Sequence, residues 1–188
     1  YIMEHENILI EGASKGSQSD FAKLYDEYIE QIYRFAYFKL NNKNDAEDLA
    51  HDVFLTAWQN IPKFVSMGYP FSSWLYKITR NKIIDRWRGK KITISTEVMK
   101  ESGQEIEFSS NLIEELNNNM TSDITMKAVK KLEGVKQEVV FLKYVSEMDT
   151  REIAKVIGKT EGATRVLLHR AIQEIKINLK EQYGGTLV

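Results

Sequence analysis

The 188-residue chain predicts an all-α fold, two small helical domains joined by a flexible acidic linker. Three observations carry this. Apolar residues recur at steps of three and four through residues 20–91 and again through 126–180, the spacing that gives a helix one buried face. Between them, residues 92–125 are dominated by Ser, Asn, Glu and Gln, with apolar residues too sparse for a core. Charge follows the same division, at net −6 over 1–62, +7 over 63–91, −6 over 92–125 and +4 over 126–188, although the whole chain carries only −1. Local field matters more for binding than the total.

Composition narrows the class. Hydrophobic residues at 43% and charged residues at 28% are ordinary for a soluble protein. No apolar run approaches the ~20 residues needed to span a bilayer, so no membrane insertion is expected. Ile2 to Ile10 is broken by Glu4, His5, Glu6 and Asn7, unlike a secretory signal. The chain has no cysteine, which excludes disulfide and thiolate chemistry and fits a cytoplasmic location.

Residues 1–19 hold Gly12, Ser14, Gly16, Ser17 and Ser19 with little periodicity, and read as a flexible leader. Asp20 is the expected N-cap of a first helix, whose apolar face is Phe21, Leu24, Tyr25, Tyr28, Ile32, Phe35 and Ala36. Asn41-Asn42-Lys43-Asn44 breaks it. A second helix follows on the stripe Ala46, Leu49, Ala50, Val53, Phe54, Ala57, Trp58 and Ile61, and Pro62 stops it. Its other face is acidic, with Asp45, Glu47, Asp48 and Asp52. Gly68 and Pro70 then mark a loop that still holds Phe64, Tyr69 and Phe71.

The stretch from Phe71 to Lys91 mixes cations (Lys77, Arg80, Lys82, Arg86, Arg88, Lys90 and Lys91) with Phe71, Trp74, Tyr76 and Trp87. Such a surface suits a nucleic-acid strand whose phosphates pair with Lys and Arg while its bases stack on rings. A solvated amphipathic helix with ordinary core aromatics fits the same residues, and both readings stand on this stretch alone.

From Ile124 the periodicity returns with Ala128, Val129, Leu132, Val135, Val139, Val140, Leu142 and Val145. Asp149 and Glu152 have the spacing of a capping box. A short helix with Ile153, Ala154 and Ile157 inward ends at Gly158. Thr160 caps the next, whose buried side is expected to be Ala163, Thr164, Leu167, Leu168, Ala171, Ile172 and Ile175. Two helices across a glycine turn, with a small residue at the crossing, make a helix-turn-helix. Residues 181–188, with Gly184-Gly185, read as a frayed tail.

Three motifs in order carry a family resemblance. The Asp45–Phe54 run, D-A-E-D-L followed five residues on by Phe, Phe71–Asp85 with its W-L-x-x-I-x-R-N core, and Glu152–Arg165 with E-I-A-x-x-x-G, resemble bacterial RNA polymerase sigma factors of the extracytoplasmic-function type. The resemblance covers about residues 20–91 and 130–178. Departures are Glu133 after Leu132 where the family often has Pro, Gln137 and Leu167 where a basic residue is usual, and Thr164 where the core is usually apolar.

The resemblance implies a sigma region two bundle over 20–91 and a region four helix-turn-helix over 126–180. It implies core RNA polymerase and promoter DNA as partners, an anti-sigma factor as a further one, and neither an enzymatic role nor a cofactor, metal or small-molecule substrate. Asp45, Glu47, Asp48 and Asp52 are the expected polymerase-docking face. Phe64, Tyr69 and Phe71 are expected to receive an unpaired base at the minus-ten element, with Asn81 on a base edge and Lys77, Arg80, Arg86, Arg88, Lys90 and Lys91 on phosphates. At the minus-thirty-five element, Thr160, Glu161, Arg165, Val166 and His169 are expected in the major groove, with Thr150 and Arg151 on the backbone. A linker of this length spans roughly 30–35 Å when relaxed, against about 60 Å between the two promoter elements, so weak duplex binding is expected without polymerase. Two rivals are a helix-turn-helix regulator acting without polymerase and a metal enzyme built on the carboxylates of Asp45, Glu47, Asp48 and Asp52.

Overall fold

The computed structural model describes residues 2–66, 68–94 and 127–183. They belong to two compact units. The first holds α1 (Ile2–Ser14), α2 (Gln18–Leu40), α3 (Lys43–Asn60), a 3₁₀ turn (Ile61–Lys63) and α4 (Phe71–Ile94). The second holds a helical turn at 127–130, α5 (Val135–Tyr144), α6 (Thr150–Ile157) and α7 (Glu161–Tyr183). The described residues contain no strand.

The leader is a correction. Most of it is helix α1, packed on α2 and on the 3₁₀ turn. Leu9 and Ala13, one turn apart, are buried there, and buried Glu6 on the same face accepts the Tyr28 hydroxyl. That face escapes a periodicity reading because a carboxylate stands in it. The chain then reverses at Gly16, whose φ of 93° suits glycine. Ser17, not Asp20, caps α2, since its side chain accepts from the Asp20 backbone N–H.

The break after α2 is only two residues long. Asn41 closes α2 with φ 52°, and the Asn42 side chain caps α3 by accepting from Asp45 N at 3.0 Å. The core of the unit is Leu24, Ile32, Phe35 and Ala36 from α2, the Ala46–Ala57 stripe of α3, and Phe71, Leu75, Tyr76 and Ile83 from α4. Each large side chain buried there contributes about 1.5–3 kcal/mol of transfer free energy. Thr79 is tolerated inside because its hydroxyl donates to the Leu75 carbonyl at 2.8 Å.

In the second unit α5, α6 and α7 close over Val139, Phe141, Leu142, Ile153, Val156, Ile157, Leu168 and Ala171. Glu133 does not prevent a helix start; α5 begins after Gly134, at φ 56°. Asp149 and Glu152 form the capping box in full. Gly158 ends α6 in the left-handed region at φ 68°. Thr160 caps α7 through the Ala163 N–H, and the buried Thr164 hydroxyl donates to the Thr160 carbonyl at 2.9 Å. Thr164 therefore fills a core position without an unmet polar group. Ala163 is a correction, because it is exposed rather than buried. Lys136 and Glu174 pair between α5 and α7.

Candidate polymerase and nucleic-acid interfaces

On α3 the four carboxylates are not equivalent. Glu47, Asp48 and Asp52 are exposed, and Asp45 is partly buried. Asp52 pairs with Lys82 of α4 at 2.8 Å. Arg86 donates to the Asp45 carbonyl at 3.1 Å and stands 3.9 Å from its carboxylate. Glu47 lies 3.9 Å from Lys43, one turn back on the same helix. Asp48 pairs with no cation among the described residues. One turn further along, Leu55 is 56% exposed on the same outward side. The sequence reading missed it, although its place off the apolar stripe and one turn beyond Asp52 was a usable signal.

The aromatic loop is tucked inward. Phe71 is 1% exposed and packs against Phe64 at 5.4 Å, Trp74 at 5.4 Å and Tyr28 at 5.8 Å. It opens α4 as a core residue, so the expectation that it receives a base is corrected: its ring is already covered by its neighbours. Phe64 and Tyr69 are partly buried. The loop is held by Ser66, whose hydroxyl donates to the Tyr69 carbonyl at 2.8 Å while Tyr69 N–H donates back to the Ser66 carbonyl. Val65, 68% exposed, is the apolar side chain the loop presents outward, and it too was missed.

Along α4, Lys77, Asn81 and Arg88 are exposed, and Arg80 and Arg86 are partly buried. Arg86 faces α3, so its charge is shared with Asp45 before any phosphate arrives. Arg88 lies 3.8 Å from Asp85, an exposed pair worth little. Lys90 and Lys91 lie on the last turns of α4, and their side chains fall outside the described residues.

In the second unit, Thr160, Glu161, Arg165, Val166 and His169 are all exposed, on one end of α7. Arg165 pairs with Glu161, one turn back, so each holds the other's side chain in place. Exposed Gly162 and Ala163 lie between them. Arg151 is exposed and Thr150 partly buried at the start of α6. A guanidinium, a carboxylate, an imidazole and a valine on one convex helix end supply donors, acceptors and an apolar contact for base edges. Lys130, before α5, has its ammonium pushed down to about 8 by burial.

Among the described residues no group of three or more His, Asp or Glu side chains can hold a metal ion, and no helix is long and apolar enough to cross a membrane.

The fold and its two charged faces define an all-α DNA-binding protein with a helix-turn-helix in one unit and an aromatic, cationic helix in the other. Family comparison sharpens this. Residues 24–92 match the model of sigma-70 region 2, and residues 122–175 match that of sigma-70 region 4, together more than half of the chain. The chain is 33% identical over 171 residues to the ECF RNA polymerase sigma factor BldN of Streptomyces coelicolor, a match covering 89% of this chain and 63% of that relative's length. It is 28% identical to the ECF RNA polymerase sigma factor SigW of Bacillus subtilis, covering 92% of this chain and 95% of SigW. Among solved structures, CnrH in complex with the cytosolic domain of CnrY shares the fold at a TM-score of 0.70 with 23% identity, covering 94% of this chain and 98% of that one. The sigma factor RpoE of Bartonella quintana, solved with the anti-sigma factor NepR, does so at 0.66 with 24% identity, covering 86% and 97%. The chain belongs to the sigma-70 family, in its extracytoplasmic-function branch.

Proposed function

We propose that this chain binds core RNA polymerase and directs promoter recognition, DNA melting and the start of transcription. The observation that carries the reading is the pairing, in one chain, of an exposed recognition helix in one unit with the cationic helix α4 beside an acidic helix in the other. Two DNA elements and one protein surface can then be engaged by a single polypeptide.

On this reading α7 enters the major groove of the minus-thirty-five element. Arg165 donates to guanine or phosphate, Glu161 accepts from cytosine, Val166 meets a thymine methyl and His169 extends the contact. Thr150 and Arg151 hold the backbone. In the first unit Lys77, Arg80, Arg88, Lys90 and Lys91 hold phosphates of the minus-ten element, Arg86 serves mainly to tie α4 to α3, and Asn81 offers donor and acceptor to a base edge. Phe64 and Tyr69 form the rim of the loop. Extruding a base costs a few kcal/mol, and one aromatic contact returns about 1–3 kcal/mol of it. Asp48, with Glu47, Asp52 and Asp45 behind it, docks on a basic surface of polymerase. An anti-sigma factor would silence the protein by covering such a face. The chain makes and breaks no covalent bond; that chemistry stays with polymerase, in the cytoplasm.

The test is transcription in vitro with core polymerase and a promoter library. The expected result is start-site-specific RNA and an asymmetric footprint that both need polymerase. A symmetric footprint on a palindrome, formed by the chain alone at physiological salt, would replace the reading with that of a free-standing repressor.

A further inference from the structure

Glu6 is buried on α1, and its carboxylate accepts the Tyr28 hydroxyl of α2. A buried carboxylate is costly to keep, and an apolar pair would hold two helices together as well. What the bond adds is direction. It fixes how far along α2 the helix α1 sits and how the Tyr28 ring is turned. Glu27 also lies near that hydroxyl, but on α2 itself, so Glu6 is the group that ties the ring to a second helix.

Both ends of the aromatic loop rest on what this bond holds. At its start, the 3₁₀ turn Ile61–Lys63 packs on α1, and the Phe64 N–H donates back to the buried Ile61 carbonyl end of that turn at 3.0 Å. At its end, the Tyr28 ring lies 5.8 Å from Phe71, tilted by 56°. Phe71 meets Phe64 nearly edge-on at 88°, and Phe64 packs on Trp74 at 4.9 Å. A turn of one ring is passed to the next, because a densely packed core has little slack to absorb it. Helix α1 lies before residue 24, where the match to sigma-70 region 2 begins, and carries none of the residues expected to touch DNA or polymerase.

We propose that Glu6 and Tyr28 are positioning residues for promoter melting, with α1 bracing both ends of the loop 64–70 in the posture that receives an unpaired base. The inference rests on the promoter-melting reading above. Neither residue touches DNA; they act through Phe71 and Phe64. Burial, and then Glu6, hold the Tyr28 phenol well above its ordinary value, so the donor stays protonated around neutral pH.

The experiment uses holoenzyme assembled from the full chain and core polymerase, with fork-junction DNA unpaired at the minus-ten element. Tyr28→Phe keeps the ring and loses the bond. It is expected to weaken fork binding and slow open-complex formation by up to about tenfold, the share of one aromatic–base contact. Affinity for core polymerase stays unchanged. Glu6→Leu does the same from the other side, and Glu6→Gln, whose amide oxygen still accepts from Tyr28, restores most of both. Replacing single unpaired bases by abasic sites finds one position at which wild type and Tyr28→Phe become equal. Ile83→Val, a truncation in the core about three turns along α4 from Phe71, controls for stability: it lowers the melting temperature and leaves fork binding at the wild-type level. If Ile83→Val weakens fork binding as much as Tyr28→Phe, the pair only stabilises the bundle and the brace is overturned. Failure of Glu6→Gln to rescue overturns it too, as does the absence of any equalising abasic position, or a loss of polymerase affinity with fork binding intact, which makes α1 a protein contact. If wild-type holoenzyme does not initiate at all, the broader reading has failed; if it does and Tyr28→Phe matches it, only the brace has.

Discussion

Lys82 Nζ lies 2.8 Å from Asp52 Oδ2, tying the basic helix α4 to the acidic helix α3. Arg86 and Asp45 repeat the tie one turn further along α4 and two turns back along α3. Two of the four carboxylates that make α3 acidic are thus already answered from α4, and a third, Glu47, by Lys43 on α3 itself. Lys82 is about a quarter exposed and Asp52 about half, so the pair is worth at most ~1 kcal/mol to stability, but it changes which charge a partner meets first.

Asp48 is the carboxylate with no such partner among the described residues. Asp48→Asn is expected to weaken binding to core polymerase about tenfold with thermal stability unchanged, in the range of a lost interfacial charge contact. Asp52→Asn should weaken it less. Titrating labelled chain with core polymerase separates the two, and an equal or larger loss for Asp52→Asn would place the docking face elsewhere on α3.

The bond from Tyr28 to Glu6 ties α1 to α2. Tyr28→Phe leaves a buried carboxyl without its donor, at about 1–3 kcal/mol. That is a fall in melting temperature of at least about 4 °C for a unit of this size. Burial first, and then the bond to Glu6, hold the Tyr28 phenol well above its ordinary value of 10.0. An unfolded chain therefore loses this proton near pH 10 while the folded chain keeps it. Stability from this group is whole below about pH 10 and declines above it. Wild type should lose stability more steeply than Tyr28→Phe in that alkaline range, measured by urea unfolding at a series of pH values.

The parts legible from sequence were those with one dominant signal. The α3 stripe, the Asp149–Glu152 box and the Gly158 turn each have a spacing that permits one local solution, and the outward positions of α7 follow from them. What was not legible depended on contacts distant in sequence. Leu9, Ala13 and Glu6 become a buried face only because α2 supplies Tyr28 and a wall to pack on. Phe71 sits in a loop-like, cationic context, yet Tyr28, Phe64 and Trp74 converge on it from three segments. Ala163 reads as core by periodicity, but α7 turns its first two turns outward, and only Thr164 there is fully covered.

Lys130 tests the second unit. Burial lowers its ammonium from 10.5 to about 8, so the folded unit binds that proton less tightly than the unfolded chain. Stability from this group is therefore lowest below pH 8 and rises as pH climbs from 8 to 10.5. Lys130→Met keeps the stem and removes the charge. It should raise the melting temperature of the second unit at pH 7, and the advantage should shrink towards pH 10.5. A constant advantage across that range would mean the gain comes from packing alone.

Gly162 separates folding from recognition. It lies in the first turn of α7, exposed, and a Cβ placed on it meets nothing within 4 Å. Its φ is not in the left-handed region, so the fold itself makes no demand for glycine. Alanine is favoured over glycine by up to about 1 kcal/mol inside a helix, and less in the first turn. Gly162→Ala should therefore leave the melting temperature unchanged or slightly raised. If α7 enters a groove by this end, the added methyl comes between helix and DNA. An interface that tight loses about 1–3 kcal/mol on overpacking, roughly tenfold in affinity. Polymerase-dependent binding to promoter duplex, compared between wild type and Gly162→Ala, reads this directly. Undiminished binding by the stable variant would mean that the first turn of α7 stands clear of the DNA, and that base contacts begin no earlier than Arg165.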